Sequence, residues 1–587
     1  MRRCDDGSTG TDYQGTEGRR TEDRPAAQLF PAEQSLKASF WVAIASLISV
    51  TSFAGAQASS AVKGATQSLV LVTSEDIDRL RFDQLVNGVD SGQSLLLRSA
   101  SSLTPVSSLD PRRLRVSAIA PQLLFVSNTA LPFSQNYGAL WAGKGLSSRT
   151  LVGFKLETSR ARFIFAPELI SSENSDWILR RPVYRVPTIP ADRSGGGYVF
   201  PYYVASLWSI DQPLRFGDRP IRRFDLGQST AMFSTSRVGF GFSNENEWWG
   251  PGIRNAIVLS NNAPGFPHLF VRTAHPISTR FGAVDARWLV GGLTESQYFD
   301  TVSTNNVRSL ASIATTLQTA WDPNLSVGFA RSVYSTATGW GQVPWRLFDV
   351  FTRTAHTGNA TPQDAATNPV RKDQLFSLFA RWVFPADGVE VYTEWARTQL
   401  QISLRDLLTR PNSTQAYTIG LQWRGDSWFG GAVRVQTEVT QMEQSATFRD
   451  VPQESWYMST RVIQGYTNRG EIIGASIGPG ASSQWLAIDY MKPAWRFGGY
   501  VGRIRWNEDV HSTAHFPVYV GYCSHDVSLY PGVRAGGKAW KFGTLTADMS
   551  FENRMNAFFQ NDGGCPNVGQ RLDIRNRTLS ISFSPFI

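Results

Sequence analysis

The segment Tyr417-Thr418-Ile419-Gly420-Leu421-Gln422-Trp423-Arg424 indicates the fold class, because large apolar side chains alternate in it with small or polar ones. A period of two places successive side chains on opposite faces of a β-strand. Segments 432–440, 544–552 and 578–584 repeat the pattern, which dominates the chain from about residue 116 onward. The sequence therefore predicts an all-β protein whose strands have one apolar and one polar face.

A soluble β-sandwich also has alternating strands, but three features favour a membrane barrel. The apolar faces often end in Trp, Tyr or Phe, as the aromatic girdles of membrane barrels require. The other faces repeatedly carry Arg, Gln and Glu, which suit a polar lumen, and the strands have about the ten residues that a tilted membrane strand needs. We therefore predict a closed antiparallel transmembrane β-barrel, the one sheet that satisfies all its backbone groups in lipid.

The connections between the predicted strands alternate between short and long. Transmembrane barrels have short periplasmic turns and long outer loops, so this alternation gives the orientation. We count about eighteen strands between residues 116 and 586, with sixteen to twenty as the acceptable range. An even number places both ends of the barrel, residues 116–587, in the periplasm.

The composition of the 587-residue chain excludes several classes of protein. With 18% charged and 12% aromatic residues, it is neither a disordered chain nor a coiled coil. The mean hydropathy of −0.22 is too polar for a helical membrane protein. Three Cys are too few for a disulfide-rich scaffold or a multi-cysteine zinc fold.

The N-terminal part is predicted to be a targeting sequence rather than a folded domain. Residues 37–58 combine one basic residue, an apolar run and small residues, which predicts a secretory signal peptide; a single membrane anchor is the alternative. Residues 1–36 are predicted to be a mis-annotated or disordered leader, with translation starting at Leu36. Residues 59–115 form a predicted periplasmic segment with a short helix at 74–88, where Ser74 and Gly88 supply the end signals. We expect this helix to lie in the periplasm or to plug the lumen; a connector that packs against the barrel rim is the alternative.

The candidate site is the segment 245–264, which the alternation of loop lengths places on the outer side. Indole faces cover the apolar faces of sugars, while amides and guanidinium groups bond hydroxyls or carboxylates. The alternative is structural, with two interfacial Trp followed by a rigid Gly-Pro-Gly turn. The predicted polysaccharide-binding residues are Trp141, Glu247, Trp248, Trp249, Arg254, Asn261 and Asn262.

The same segment carries a family resemblance. Trp248-Trp249-Gly250-Pro251-Gly252 followed by Leu259-Ser260-Asn261-Asn262-Ala263 resembles the signature of the capsule assembly protein Wzi family. Segments 136–145, 210–218 and 465–479 look similar to it as well, and the resemblance covers roughly 110–587. It implies an eighteen-stranded outer-membrane barrel with a small periplasmic helical part and lectin-like, non-enzymatic attachment of capsular or other surface polysaccharide. One departure is the final Ile587, where such barrels commonly end in an aromatic residue.

The expected partners follow from charge and compartment. The first 58 residues hold six Lys or Arg and seven Asp or Glu, so their removal changes the net charge from +9 to +10. A basic mouth or lumen would attract an acidic capsular polysaccharide or exopolysaccharide. Outer-membrane lipid, lipopolysaccharide and capsule export machinery are further expected partners, whereas nucleic acid is not.

Cys523 and Cys565 fall in two successive outer loops, which makes a disulfide geometrically reasonable outside the cytosol. Metal binding by the neighbouring His511, His515 and His525 is the weaker alternative, because residues four apart share a face only on a helix. We predict neither a metal site nor a cofactor.

Two other functions remain open, a passive channel and an outer-membrane hydrolase. The long outer loops favour a closed mouth over an open pore. Glu245 and Glu247 could form a glycosidase pair, but in an extended segment they point the same way and crowd each other rather than straddle a bond.

Overall fold

The computed structural model describes residues 67–89, 94–104, 114–177, 210–299, 304–352, 354, 371–399, 404–427, 429–446, 454–509, 525–539, 541–559 and 572–585. The predicted leader, the predicted signal peptide, Cys523 and Cys565 lie outside the described residues.

Eighteen antiparallel strands form a closed barrel, which confirms the predicted fold class and strand number. The first strand, Arg115–Asn128, pairs with the last strand, so that Leu123 lies opposite Phe583. Three strands are interrupted, two of them next to Pro167 and Pro276, where a residue without an N–H cannot continue the ladder. The strands are Arg115–Asn128, Gly145–Glu157, Ala161–Phe165 with Glu168–Ser172, Ile221–Asp225 with Thr230–Ser234, Val238–Ser243, His268–Thr273 with Ile277–Thr279, Gly282–Thr294, Val307–Thr319, Leu325–Ala337, Lys372–Phe384, Val389–Arg397, Gln415–Ser427, Gly431–Gln441, Ser482–Met491, Trp495–Trp506, Asp526–Ala539, Gly543–Met555 and Ile574–Pro585.

The burial pattern of the strands is inverted relative to a soluble protein. Ile419 is 53% exposed, whereas its neighbour Thr418 is fully buried. Inside the barrel the polar side chains bond each other: Gln436 donates to Gln422 at 2.6 Å, and the hydroxyls of Thr418 and Thr440 are 3.0 Å apart. Apolar side chains therefore face outward, where lipid replaces water, and polar side chains face the lumen.

The two ends of the barrel differ in their connections. Hairpins of a few residues, such as the one between Phe384 and Val389, close one end, which we call the short-turn end. The long connections leave from the other, the long-loop end. Arg115 opposite Glu157 and Pro585 opposite Gly543 place both ends of the barrel sequence at the short-turn end.

The predicted helix is present as Glu75–Asn87, and it lies in the lumen near the short-turn end. Ser74 caps it by accepting from the Ile77 amide at 3.4 Å. Asp78 accepts from the wall residue Arg434 at 2.8–3.0 Å. Burial favours the protonated form of Asp78, but the facing Arg434, Arg496 and Arg534 outweigh burial and hold the pKa of this carboxyl below its usual range.

The remaining helices are short: the α-helices Ala100–Leu103 and Leu404–Thr409, and the 3₁₀ turns Trp340–Gln342, Pro344–Phe351 and Ala557–Phe559. Two small antiparallel pairs lie outside the barrel ladder, Leu97–Ser99 with Glu247–Trp249 and Thr467–Asn468 with Glu471–Ile472. In the part of the chain that is described, no helix is long and apolar enough to cross a membrane.

Candidate functional site

The segment 245–264, here called the plug segment, turns into the barrel. Trp248 and Trp249 are only 1% and 0% exposed. Trp249 belongs to a core cluster that includes the inward-facing Leu289 and Phe270 of the wall. The two indoles therefore offer no exposed sugar platform, and the segment expected on the outer surface forms part of the filling of the lumen.

Two glycines allow the Trp-Trp-Gly-Pro-Gly turn to lie so close to its surroundings. Gly250 has φ of +110°, and a Cβ there would stand 2.9 Å from a carboxylate oxygen of Glu394. A Cβ on Gly252 would stand 2.1 Å from the carbonyl oxygen of Asn255. The motif is thus a tight backbone turn against the wall, and any larger residue at these two positions would push it away.

A wall carboxylate holds the plug segment by its main chain. Glu438, on the strand Gly431–Gln441, accepts from the amides of Ile253 at 2.6 Å, Arg254 at 3.1 Å and Asn255 at 2.8 Å. The hydroxyl of Tyr392 donates to the same carboxylate at 2.8 Å. Hydrogen bonds to an ionised acceptor are among the stronger ones in proteins, so this contact anchors the turn.

Glu245 and Glu247 form a second anchor around Arg287 of the wall. Arg287 Nη2 lies 3.0 Å from Glu245 and also contacts Glu247. Burial raises the pKa of Glu245, but Arg287 and the hydrogen bonds from Ser101 outweigh it and lower the pKa overall. Glu247 also accepts from Trp249 Nε1 at 3.2 Å. The predicted crowding of the two carboxylates is observed, with one guanidinium between them.

Asn261 and Asn262 join the plug segment to neighbouring loops. The side-chain amide of Asn261 donates to the carbonyl of Asn136 at 3.0 Å, and the main-chain carbonyl of Asn261 accepts from the Gly138 amide at 2.7 Å. Asn262 donates to the carbonyl of Ile472 at 2.9 Å. These bonds explain why the separated, family-like segments 136–145 and 465–479 meet in space.

Arg254 points into an internal cavity of about 500 Å³ that reaches from the helix Glu75–Asn87 toward the long loops. Its Nη2 donates to Gln135 Oε1 at 3.0 Å. Tyr500, Tyr530 and Phe133 also line this cavity.

A separate pocket of about 150 Å³ lies at the long-loop end, and we call it the outer pocket. Three indoles line it, those of Trp141, Trp177 and Trp506. Trp141 packs on Phe216 at 4.8 Å, and Trp177 packs on Phe558 at 5.2 Å between ring centroids. Of the seven residues predicted from the sequence, Trp141 and Asn262 line this pocket and the other five do not.

Four buried polar atoms of the outer pocket have no hydrogen-bond partner among the described residues. They are Trp141 Nε1, Trp177 Nε1, Gln212 Oε1 and Asn507 Nδ2. Trp177 and Asn507 are each only 7% exposed. Because buried polar groups are almost always bonded, these four atoms can bond water or a polar ligand that enters the pocket.

The charges of the outer pocket nearly cancel. Arg554 bonds both carboxylate oxygens of Asp526 at 2.8 and 2.6 Å and stacks on Phe558 with its guanidinium carbon 4.0 Å from the ring centroid. Glu471 also lines the pocket, and burial raises its pKa to about 8 despite Arg223 and Arg469. At neutral pH the pocket is therefore suited to hydroxyl groups more than to a strongly charged ligand.

Phe133 and Gln135 line both the outer pocket and the internal cavity. Phe133 packs edge-on against Tyr530 at 5.6 Å, and Gln135 is held by Arg254. One stretch of chain thus separates the two spaces.

Sequence reasoning missed Trp177, Trp506, Gln212 and Asn507. Gln212 lies in the family-like segment 210–218, which was a usable signal, whereas Trp177 and the adjacent pair Trp506 and Asn507 are far apart in the sequence and meet only in the fold. In the described part of the chain, no group of three His, Cys, Asp or Glu side chains could hold a metal ion. The predicted disulfide lies outside the described residues and stays a prediction.

Comparisons with known proteins identify the family. The family model described as capsule assembly protein Wzi matches residues 136–491. Among solved structures, one is Wzi of Escherichia coli, described as an outer-membrane protein involved in group 1 capsule assembly and as a carbohydrate-binding β-barrel. It has 11% identity over 80% of this chain and 84% of that chain, with a TM-score of 0.49.

Two other solved structures are similar at a lower level. OprD of Pseudomonas aeruginosa has 10% identity over 80% of this chain and 94% of that chain, with a TM-score of 0.36. OccAB4 of Acinetobacter baumannii has 7% identity over 79% and 98%, with a TM-score of 0.35. A comparison with curated protein sequences gives no match.

The matched residues cover more than half of the chain and include the plug segment, its wall anchors Arg287 and Glu438, and Trp141 of the outer pocket. This protein is a member of the capsule assembly protein Wzi family, whose resemblance was already visible in the Trp-Trp-Gly-Pro-Gly turn.

Proposed function

We propose that this protein holds capsular or other extracellular polysaccharide at the cell surface, without enzymatic activity, and that the polymer binds in the outer pocket. The family takes part in capsule assembly by its name, which supports the class of ligand. The observation that carries the choice of site is the coincidence, in one small pocket, of three indoles and four buried polar atoms without partners.

The proposed contacts follow from the chemistry of sugars. Indole faces cover the C–H faces of a sugar ring, and hydroxyl groups bond the free donors and acceptors. Trp141 and Asn262 would touch the polymer, together with Gln212 and Asn507. We propose that the other five predicted residues support the floor and the rim of the pocket without touching the polymer. They are Glu247, Trp248, Trp249, Arg254 and Asn261.

The proposal includes the orientation and the partners expected from the sequence. The long-loop end faces the outside, both barrel ends face the periplasm, and export uses the signal peptide. The net charge of +9 for the whole chain still favours an acidic polymer. Because the outer pocket is nearly neutral, that attraction would act at longer range, before the polymer enters the pocket. Lipopolysaccharide and the export machinery would be the neighbours in the membrane.

A channel is the competing function, and the filled lumen supports the attachment role instead. The helix Glu75–Asn87, the plug segment and the stretch around Phe133 all stand in the path of a solute. Conductance in planar bilayers tests this directly: a large and steady pore formed by the wild-type protein would favour the channel.

Polymer retention in a deletion strain tests attachment. We expect the strain to make polymer and shed it into the medium, and the wild-type gene to restore retention. Trp141→Ala should release polymer, and purified Trp141→Ala should bind the polymer about ten- to a hundred-fold more weakly, since one stacked indole contributes about 1.5–3 kcal/mol. Trp321→Ala is the matched control, because Trp321 is exposed at the short-turn end, far from the pocket.

Three outcomes would contradict the proposal. Normal retention by a folded Trp141→Ala, Asn507→Ala double variant would show that the pocket does not bind the polymer. Equal release by the Trp321→Ala control would show a general defect of the barrel. Shortened polymer after incubation with the purified wild-type protein would show an enzyme.

A further inference from the structure

Small side chains leave a space along one part of the inner wall. In 544–550 and 578–584, which pair across two strands, every second residue lines the internal cavity of about 500 Å³. All of these residues except Asp548 are Ser or Thr. The hydroxyls of Thr546 and Ser582 lie 2.6 Å apart across the two strands. This side of the lumen is therefore open and carries two rows of hydroxyl groups.

The internal cavity extends to the short-turn end. The exposed Lys538 and the partly exposed Ser584 line it there, beside the hairpin that joins Ala539 to Gly543. At its other end, the stretch with Phe133 separates it from the outer pocket. In the described part of the molecule, the cavity is thus open toward the short-turn end, away from the outer pocket.

Two tyrosine rings form an aromatic side of the cavity. Tyr500 lies opposite Gly532 on the neighbouring strand, and Tyr530 lies opposite Gly502. A Cβ on Gly532 would stand 2.4 Å from Cζ of Tyr500, and a Cβ on Gly502 would stand 2.1 Å from Cζ of Tyr530. The rings therefore cover the two glycines and stay close to the wall, which keeps the space beside them free.

Three arginines that line the cavity form no ion pair with a described residue. They are Arg98, Arg149 and Arg254, which donate to a side-chain amide oxygen or to main-chain carbonyls at 3.0–3.5 Å. Glu438 bonds the main-chain amide of Arg254 and not its guanidinium. Arg98 and Arg149 are 4% and 9% exposed, and the Nε of each has no hydrogen-bond partner among the described residues. These guanidinium groups keep donors available for an anion.

Four carboxylates also line the cavity, and three of them are already bonded. Glu75 and Asp78 form ion pairs with arginines of the wall, at 2.7 and 2.8 Å. Asp548 accepts from the Tyr500 hydroxyl at 2.6 Å. Asp76, the fourth, is exposed. The lining therefore combines hydroxyl groups and aromatic faces with guanidinium groups that no lining carboxylate neutralises by direct contact.

We propose that the internal cavity is a second binding site, which takes a small hydroxylated carboxylate with the chemistry of a sugar acid from the short-turn end. The carboxylate binds Arg254 or Arg149, the ligand hydroxyls bond the Ser and Thr rows, and its C–H face lies on the tyrosine rings. The volume lies within the range of about 300–1,000 Å³ that is usual for ligand sites. This site is separate from the outer pocket and does not depend on polysaccharide binding there.

Equilibrium dialysis of the detergent-solubilised full-length protein with radiolabelled glucuronate tests the proposal. We expect saturable binding of one glucuronate per protein, with glucose and inorganic phosphate each competing at least tenfold more weakly. The absence of saturable binding would overturn the proposal. Equal competition by glucose would show a site for neutral sugars, and equal competition by phosphate would show a site for simple anions; either result would overturn the assigned ligand.

Variants locate the bound glucuronate. Thr546→Phe places a ring among the hydroxyl rows and should abolish binding, and Arg254→Gln, which adds no volume, should weaken it about tenfold or more. Arg371→Gln is the matched control, because this exposed arginine of the long-loop end lies outside the cavity and its loss changes the net charge equally. Unchanged affinity in both cavity variants would overturn the proposal.

A last variant separates this site from the outer pocket. Trp141→Ala with Asn507→Ala should bind glucuronate with the wild-type affinity, whatever its effect on polymer retention. Loss of glucuronate binding in this folded variant would place the ligand in the outer pocket and would overturn the internal site.

Discussion

Glu438→Ala removes the carboxylate that holds the plug segment, and it should loosen this segment while leaving the barrel intact. The carboxylate accepts three amide donors, those of Ile253, Arg254 and Asn255, and the Tyr392 hydroxyl. All four bonds are lost together, and the amide of the buried Asn255 in particular is left without its acceptor.

The magnitude follows from these bonds. A hydrogen bond to a charged group contributes about 1.5–3 kcal/mol, and leaving a buried donor unbonded costs about 1–3 kcal/mol. Because the three amides share one acceptor and can relax together, we expect local opening to become easier by about 3–6 kcal/mol for Glu438→Ala. Glu438→Gln keeps the shape and one acceptor oxygen, so we expect about 2–3 kcal/mol for it.

Hydrogen exchange followed by mass spectrometry measures this opening. Each 1.36 kcal/mol is a factor of about ten, so protection of the amides in 253–255 should fall by about 150-fold or more in Glu438→Ala and by about 30- to 150-fold in Glu438→Gln. Thr440→Val is the matched control, because Thr440 lies on the same strand and the same luminal face but bonds Thr418 across the sheet. Protection of 253–255 within about threefold of wild type in folded Glu438→Ala would refute the reasoning.

Three further predictions test other parts of the molecule. Phe133→Ala should join the outer pocket to the internal cavity and give small single-channel conductance in planar bilayers where the wild type gives none; silent bilayers would show that more than this ring closes the path. Burial raises the pKa of Glu471 to about 8 and that of Asp509 to about 7, so both favour the folded loops when protonated. The stabilisation of the folded loops by protonated Glu471 and Asp509 is complete below about pH 4 and is lost as the pH rises through 7 and 8. Hydrogen exchange of 455–481, corrected for its intrinsic pH dependence, should therefore be faster at pH 9 than at pH 6. Equal protection at the two pH values would contradict the raised pKa of these two carboxyls. Thiol titration of the unfolded, unreduced protein should find Cys523 and Cys565 unreactive, and two reactive thiols would exclude the disulfide.

The strands could be predicted from the sequence because a period of two is a local property. The alternation around Ile419 places one face in lipid and the other in the lumen, whatever the rest of the chain does. The short turns and the number of strands follow from the same alternation, whereas the helix after Ser74 follows from its end signals.

The position of the plug segment could not be predicted in this way. Loop lengths show at which end a connection leaves the barrel, but not whether it then folds back into the lumen. The buried Ile257-Val258-Leu259 run was the available sign, because an outer loop in water has little use for three apolar residues in a row. The outer pocket was harder still to predict, since Trp177 and Trp506 are more than three hundred residues apart in the sequence.

The bond between Glu438 and the plug segment reaches main-chain N–H groups, and it is therefore indifferent to the side chains that residues 253–255 carry. Every amino acid except proline keeps the N–H group that bonds Glu438, although Arg254 and the buried Asn255 also donate through their side chains to Gln135 and Ser483. Substitutions at residues 253–255 can thus change the interior surface beside Gln135 while the hydrogen bonds to Glu438 remain. The same barrel can therefore evolve to bind a different ligand with little loss of stability.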